Sequence, residues 1–321
     1  MEDKAKHQED KNYLNHSRMD FLTEIVSFNE ATGVVEFRLI PDPKRYEKKT
    51  VRGKDGWYDK LDNTFIPKEV LMQMATQMRG MPINSKQQLA GRADEYVLRR
   101  LPEIEKNILH GIPGATFEDK SEAFLRTLEK DKLGFAILSL DVVGSTKLIT
   151  QMEPAKYNQL VSALFYEIGT LVPLFHGHVL KYTGDGVIAY FPEPSFTTQN
   201  DNALDCALTL RRLINDGFNP CLIKLGFPAI QIRIGLDSGE AYVQTVGSPA
   251  TKQHKDIIGA VVSLAAKIQA TAQPNGIHLG QIMLQNLHTN WRLKCVPITL
   301  PAGWGYKLTA DKIYQIHQYQ G

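Results

Sequence analysis

Asp141 and Asp185 are the two residues of this chain whose types and settings suit them to do chemistry together. Asp141 ends the apolar run G-F-A-I-L-S-L-D (134–141), and Asp185 lies in K-Y-T-G-D-G, between H-V-L-K-Y (178–182) and G-V-I-A-Y-F (186–191). Asp-Gly tolerates the positive φ of a primed turn, so the latter two stretches read as a hairpin with Asp185 at its tip. With the second strand of that hairpin beside 134–141 in one sheet, both carboxylates meet at one rim. Two carboxylates and a main-chain carbonyl, here that of Val142, make a hard oxygen set suited to Mg²⁺ or Mn²⁺. A pair of such ions serves phosphoryl transfer, one lowering the pKa of an attacking hydroxyl and the other holding a triphosphate. Gly144, Ser145 and Thr146 follow at the expected start of a helix, where free N–H groups and the helix dipole favour a phosphate. Each feature also has an ordinary reading: an aspartate before a helix is often its cap, and T-G-D-G alone is a common turn.

Hydrophobic spacing outlines the elements that must position these residues. After the strand 134–141, Tyr157, Leu160, Val161, Leu164, Ile168 and Leu171 fall three and four apart, one face of a helix. Pro192 and Pro194 end the second strand of the hairpin. A helix is expected over about 201–216, then two strands, A-I-Q-I-R-I-G-L (229–236) and G-E-A-Y-V-Q-T-V (239–246), joined by a G-L-D-S-G turn. Arg233 and that turn read as structural. A helix over about 259–272 and short strands near 276–280 and 311–316 close the chain. The order β-α-β-β-α-β-β-α-β-β implies an α+β fold: a mainly antiparallel sheet with helices packed on one face and a ferredoxin-like core. Upstream, residues 1–17 read as a polar tail. Residues 18–132 read as an N-terminal region of unknown role, either a regulatory or dimerising domain or an extension of the catalytic fold, and 133–321 as the catalytic domain. The N-terminal region holds a strand (33–40), a Gly/Lys/Asp-rich turn region (52–63) and helices over 66–80 and 88–109.

Composition narrows the function classes. The chain has 321 residues, 43% hydrophobic and 22% charged, as in a folded globular enzyme of about two domains. A net charge of +2 gives no bulk field to hold nucleic acid or an anionic membrane. The cysteines, Cys206, Cys221 and Cys295, lack zinc or redox spacing, which points to a reducing compartment. Without an apolar signal region or an eighteen-residue apolar span, the protein is expected in the cytoplasm, without membrane insertion. H-E-x-x-H, Walker A and serine-hydrolase signatures are absent, and His176 and His178 read as loop residues.

L-S-L-D-V-V-G-S-T, K-Y-T-G-D-G, R-I-G-L-D-S-G-E and D-I-I-G-A-V-V-S-L-A-A-K-I resemble, in order and spacing, the successive signatures of class III nucleotidyl cyclases over about 133–316. That resemblance implies conversion of a nucleoside triphosphate to a 3′,5′-cyclic monophosphate and pyrophosphate on two divalent cations, Mg²⁺ or Mn²⁺, bound by Asp141 and Asp185. It implies a head-to-tail homodimer with each active site at the interface, so that Lys181 and Asp185, four residues apart, serve different sites. By the same resemblance Lys181 and Asp256 match the base-reading pair of adenylate cyclases. The lysine donates to a ring acceptor, and the carboxylate accepts from an exocyclic amine.

Departures from the family pattern bear on the substrate. Ser263 and Lys267 stand where an Asn usually orients the ribose and an Arg stabilises the transition state, and Ser139 replaces a common aromatic. Lys267 keeps the charge but not the bidentate fork. A phosphate-binding lysine is usual near the C-terminal hairpin, a place that Lys307 or Lys312 can fill. With these substitutions the chain resembles the pyrimidine cyclases of Pycsar anti-phage systems, implying UTP or CTP as substrate, cyclic UMP or cyclic CMP as an alarm signal, and a separate effector that binds it. The retained Lys181 and Asp256 leave adenylate cyclase open. A catalytically inactive nucleotide-binding dimer module is the alternative outside enzymes.

Overall fold

A computed structural model describes residues 18–30, 34–77, 92–112, 114, 119–128, 132–192 and 198–321. The expected tail over 1–17, Pro194, and the helix ends at 78–80 and 88–91 lie outside the described residues. The chain divides into two compact units, Met1–Lys86 with His288–Trp291, and Gln87–Leu287 with Arg292–Gly321. The boundary expected at residue 132 therefore does not separate compact units. The helices Ala93–His110 and Lys120–Thr127, upstream of it, belong with the larger one.

In the smaller unit β1 (Phe21–Asn29) and β2 (Val34–Pro41) form an antiparallel ribbon, and β3 (Tyr46–Val51), β4 (Lys54–Asp59) and β5 (Thr64–Pro67) a three-stranded meander followed by α1 (Lys68–Gln77). The stretch 52–63, expected as turns, contains β4. Arg52 and Gly53, both at positive φ, make a tight turn, and Trp57 packs against the cluster of Tyr46, Ile66 and Leu71. Arg45, 1% exposed, sits at the centre of this unit. It donates to Asp59 at 2.9 Å, to Asp62 at 2.7 Å and to the Arg18 carbonyl at 2.6 Å, with Asp20 at 3.4 Å. Such a buried cation is tolerated because its donors meet carboxylates and a carbonyl.

The larger unit begins with α2 (Ala93–His110) and α3 (Lys120–Thr127). It continues as β6 (Lys132–Val142), α4 (Ser145–Gln151), α5 (Pro154–Leu171), β7 (His178–Tyr182), β8 (Gly186–Pro192) and α6 (Gln199–Arg212). A π-helical segment, Leu213–Phe218, leads into α7 (Asn219–Lys224). Then come β9 (Ile232–Ser248), β10 (Lys252–Ile258), α8 (Ala260–Thr271), β11 (Ile277–Gly280), β12 (Cys295–Pro297), the hairpin β13 (Lys307–Thr309) and β14 (Lys312–Ile313), and β15 (Ile316–Tyr319). The main sheet runs β12-β15-β11-β9-β6-β8-β7, with β10 also paired to β9. Among the described residues only the β9–β11 pairing within it is parallel.

Both faces of this sheet are covered, where one covered face was expected. On one side Phe135 and Ile137 of β6 cluster with Leu125 of α3 and Val261 and Ala265 of α8. Their neighbours Ala136, Leu138 and Leu140 are at most 1% exposed, and α6 packs against β6, β8 and β9. Strand alternation sends these residues to the opposite face, and a strand buried on both faces reads as an unbroken apolar run, as 135–138 does.

The two strands expected at 229–236 and 239–246 are one 17-residue strand, β9, and G-L-D-S-G lies inside it. Gly235 is required there by close approach rather than by a turn. A Cβ on it would stand 2.2 Å from the Gln269 N and 2.3 Å from the Ala265 O, so the glycine lets α8 lie directly on the strand. The hairpin strands fall at 178–182 and 186–192, as expected from their spacing. Among the described residues no helix is long and apolar enough to cross a membrane.

Replacing Arg45 by Met leaves Asp20, Asp59 and Asp62 without their shared cation and is expected to destabilise the smaller unit by about 3–5 kcal/mol. Amide hydrogen exchange should show protection lost across β3–β5 and kept across β6 and β9. Unchanged protection in β3–β5 contradicts the role given to Arg45.

Candidate functional site

The registers of β6 place Asp141 opposite Gly186 of β8 on one side and Arg233 of β9 on the other. Asp185 immediately precedes Gly186, so pairing the strands brings the two carboxylates to one rim. In the connecting turn Thr183 N donates to Gly186 O at 2.9 Å. The positive φ falls on Gly184, at +77°, rather than on the Asp185–Gly186 pair. Ser145, at the start of α4, donates its hydroxyl to Asp185 Oδ2. Gly144 before it adopts φ +68° and turns the chain from β6 into α4. The first-turn N–H groups of Ser145 and Thr146 have no acceptor within their own helix. Val142 is the last residue of β6, beside Asp141.

Arg233, read from sequence as structural, donates Nη2 to Asp141 Oδ2 at 2.7 Å, and Gln269 Nε2 lies 3.5 Å from the same oxygen. Burial raises the Asp141 pKa; the Arg233 guanidinium pulls it down and the negative charge of Asp185 pushes it up, with a net rise. Burial is the largest of these effects, with the Arg233 guanidinium acting against it. Among the described residues no group of three or more His, Cys, Asp or Glu is placed to hold a metal. Two carboxylates with main-chain and hydroxyl oxygens nevertheless form a donor set that fits Mg²⁺ or Mn²⁺, and a divalent cation relieves the crowding of charge. Arg233 escaped sequence reading because its partner is set by the β6–β9 register.

Lys181 and Asp256, on β7 and β10, meet in an ion pair of 2.7 Å. Asp256 is 8% exposed, its Oδ1 accepts from Ile257 N at 2.9 Å, and His254 Nε2 lies 3.9 Å from Oδ2. Ser263 and Lys267 lie one helical turn apart on α8, both exposed. The Lys267 ammonium stands 5.7 Å from the Tyr306 ring centroid. Lys307 donates to the Ala310 carbonyl of its own hairpin at 3.1 Å, and Lys312 lies on the facing strand of that hairpin. His178, expected in a loop, is a strand residue stacked between Phe124 and Tyr190, with ring centroids 4.3 and 5.1 Å away. Burial lowers its pKa. His176 does lie in the preceding turn, at φ +60°.

The sequence model of the adenylate and guanylate cyclase catalytic domain matches residues 129–309, more than half of the chain. The chain belongs to that family. It is 28% identical over 156 residues to a cytidylate cyclase of Escherichia coli, a match covering 46% of this chain and 34% of that protein. The match therefore spans about a third of the relative's length. In structure the family domain resembles the adenylyl cyclase CyaB from P. aeruginosa, with a TM-score of 0.53 and 20% identity over 60% of this chain and 97% of that one. A crystallised guanylyl cyclase gives a TM-score of 0.52 at 19% identity, over 60% of this chain and 93% of that one. These two likenesses bear on the fold.

Within the R-I-G-L-D-S-G-E segment Asp237 is 1% exposed. Burial pushes its pKa up to about 7, against the hydrogen bonds from Tyr314 and the Ser238 N–H. The folded protein thus keeps a proton that an unfolded Asp releases near pH 4. This contribution to stability is complete below about pH 4 and is lost as pH rises through about 7, by up to about 4 kcal/mol. Asp237→Asn, which cannot ionise, should flatten the fall in denaturation midpoint between pH 5 and pH 8. An unaltered pH profile in the variant contradicts the assignment.

Proposed function

We propose that the chain is a nucleotide cyclase that converts a pyrimidine nucleoside triphosphate to its 3′,5′-cyclic monophosphate and pyrophosphate. The observation that carries this reading is the meeting of Asp141 and Asp185 at one sheet rim. Asp141, Asp185 and the Val142 carbonyl would hold Mg²⁺ or Mn²⁺, whose charge favours ionisation of the ribose 3′-hydroxyl and steadies the triphosphate. The protein's own groups bind and orient. The N–H groups of Ser145 and Thr146 after Gly144 offer phosphate donors, and Arg233 adds a planar cation suited to phosphate oxygens. Lys267 offers charge near the reacting phosphate, Ser263 a hydroxyl for the ribose, and Lys307 a further phosphate contact. The attacking group is the substrate's own hydroxyl, so no side-chain nucleophile is needed.

Lys181 and Asp256 pair a donor with an acceptor, which suits a base with a ring acceptor beside an exocyclic amine. Cytosine and adenine both have that edge. The similarity to a cytidylate cyclase and the Ser263 and Lys267 substitutions favour cytosine; the base-reading pair itself supports adenine as the second reading. The enzyme acts as a head-to-tail homodimer, in which Lys181 and Asp185 of one chain belong to different sites. It works in the cytoplasm, a reducing compartment that suits Cys206, Cys221 and Cys295, which form no disulfide with one another. By resemblance to Pycsar cyclases, its product is an anti-phage signal read by a separate effector.

The test is to incubate the purified protein with Mn²⁺ and ATP, GTP, UTP or CTP in turn, beside Asp141→Ala, and to identify products by mass. Cyclic CMP is expected, reduced at least about 100-fold in the variant. Cyclic AMP would move the base reading to adenine, and cyclic UMP would overturn the amine-reading role of Asp256. No product from any nucleotide, in a protein that binds them, would replace the enzyme by a binding module.

A further inference from the structure

Lys267 stands where the family pattern has an arginine, and an ammonium on a flexible stem does not orient itself as a planar guanidinium does. The structure supplies an orienting surface. The 5.7 Å from Lys267 Nζ to the Tyr306 centroid is within cation–π range. Tyr306 meets Trp304 edge-on, centroids 4.7 Å apart at 66°. Both residues are tied to Tyr314. Trp304 Nε1 donates to the Tyr314 carbonyl at 2.8 Å, and Tyr314 N donates to the Tyr306 carbonyl at 2.8 Å.

Tyr314 is itself fixed from beneath. It is 2% exposed, donates its hydroxyl to Asp237 Oδ1 at 2.6 Å and accepts from Ile282 N at 3.0 Å. Gly280 makes the room, since a Cβ there would stand 2.3 Å from Asp237 Oδ1 and 2.8 Å from the Tyr314 hydroxyl. Ile268, next to Lys267 on α8, shares a core cluster with Tyr314 against which Trp304 packs. The helix that carries the lysine and the segment that carries the ring are thus held on one foundation.

We propose that Tyr306 is a positioning residue for Lys267, its ring held by the Asp237–Tyr314 anchor so that a lysine can serve where an arginine is usual. This rests on the cyclase reading, in which Lys267 acts at the reacting phosphate. The ring orients the ammonium, so its loss should lower kcat and leave KM for the nucleotide unchanged. An arginine at 267 orients through its own fork and should not need the ring.

The test measures kcat and KM with Mn²⁺ and each of the four nucleoside triphosphates for Tyr306→Phe, Tyr306→Leu, Lys267→Met and the Tyr306→Leu/Lys267→Met pair. It also records the ¹³C spectrum of the reductively dimethylated protein, with Lys267 assigned by its loss in Lys267→Met. Tyr306→Phe should match the parent, and Tyr306→Leu should lose about 3–5-fold in kcat, with no further loss once Lys267 is gone. Lys267→Arg should restore turnover in the Tyr306→Leu background. The dimethyl-Lys267 resonance should lie upfield through the ring current, move back in Tyr306→Leu and stay in Tyr306→Phe. An unmoved resonance, or equal loss from Tyr306→Leu with and without Lys267, overturns the proposal. If no nucleotide is turned over, the cyclase reading fails instead, and the resonance alone decides whether the ring seats the lysine.

Discussion

The crowding of Asp141 and Asp185 is the constraint around which the larger unit is arranged. Strand pairing makes it unavoidable. Once β6 lies between β8 and β9 in the observed registers, Asp141 sits opposite Gly186 and Arg233, and Asp185 is brought to the same rim. Two carboxylates so close repel, and the raised pKa of Asp141 records that repulsion together with burial. The neighbouring groups soften it. Ser145 donates to Asp185 and Arg233 to Asp141, and the carboxylate oxygens that remain are a donor set that fits a small, hard cation.

Much of the arrangement was legible in the residues, for local reasons. The apolar run before Asp141, the hairpin spacing around Asp185 and the three-and-four spacing of α5 all depend on near neighbours in sequence, and these elements lie where they were expected, although the positive φ of the turn falls on Gly184. What escaped depends on contacts distant in sequence. Arg233 became part of the rim through the β9 register. Gly235 and Gly239 resembled turn glycines, although Gly235 is small to admit the α8 backbone and Gly239 faces Val261. The second covered face of the sheet follows from α3 and α8 packing on Phe135 and Ile137, contacts that periodicity alone does not specify. The Lys181–Asp256 pair came from family resemblance, and the fold brings its members to 2.7 Å across 75 residues of sequence.

The segments outside the family match add braces to the family domain. Arg100 of α2 grips the buried Glu167 of α5 with two hydrogen bonds, of 2.9 and 2.7 Å. Its geometry is that of a bidentate pair, stronger and more directional than a single contact. Ser121 of α3 bonds Tyr190 of β8. These contacts extend the larger unit upstream of the matched residues, so that the compact unit is longer than the family domain within it. The smaller unit has its own buried charge centre at Arg45 and its own apolar cluster.

The central claim is that Asp141 and Asp185 together form a divalent-cation site. Its most direct test is the thermal midpoint of the purified protein titrated with Mn²⁺, for the parent and for Asp141→Asn/Asp185→Asn. Binding to the folded state alone stabilises by about 2.7 kcal/mol at one hundred times Kd, so the parent midpoint should rise with Mn²⁺ and the variant midpoint should not. An equal rise in both proteins, or none in the parent, would contradict the account.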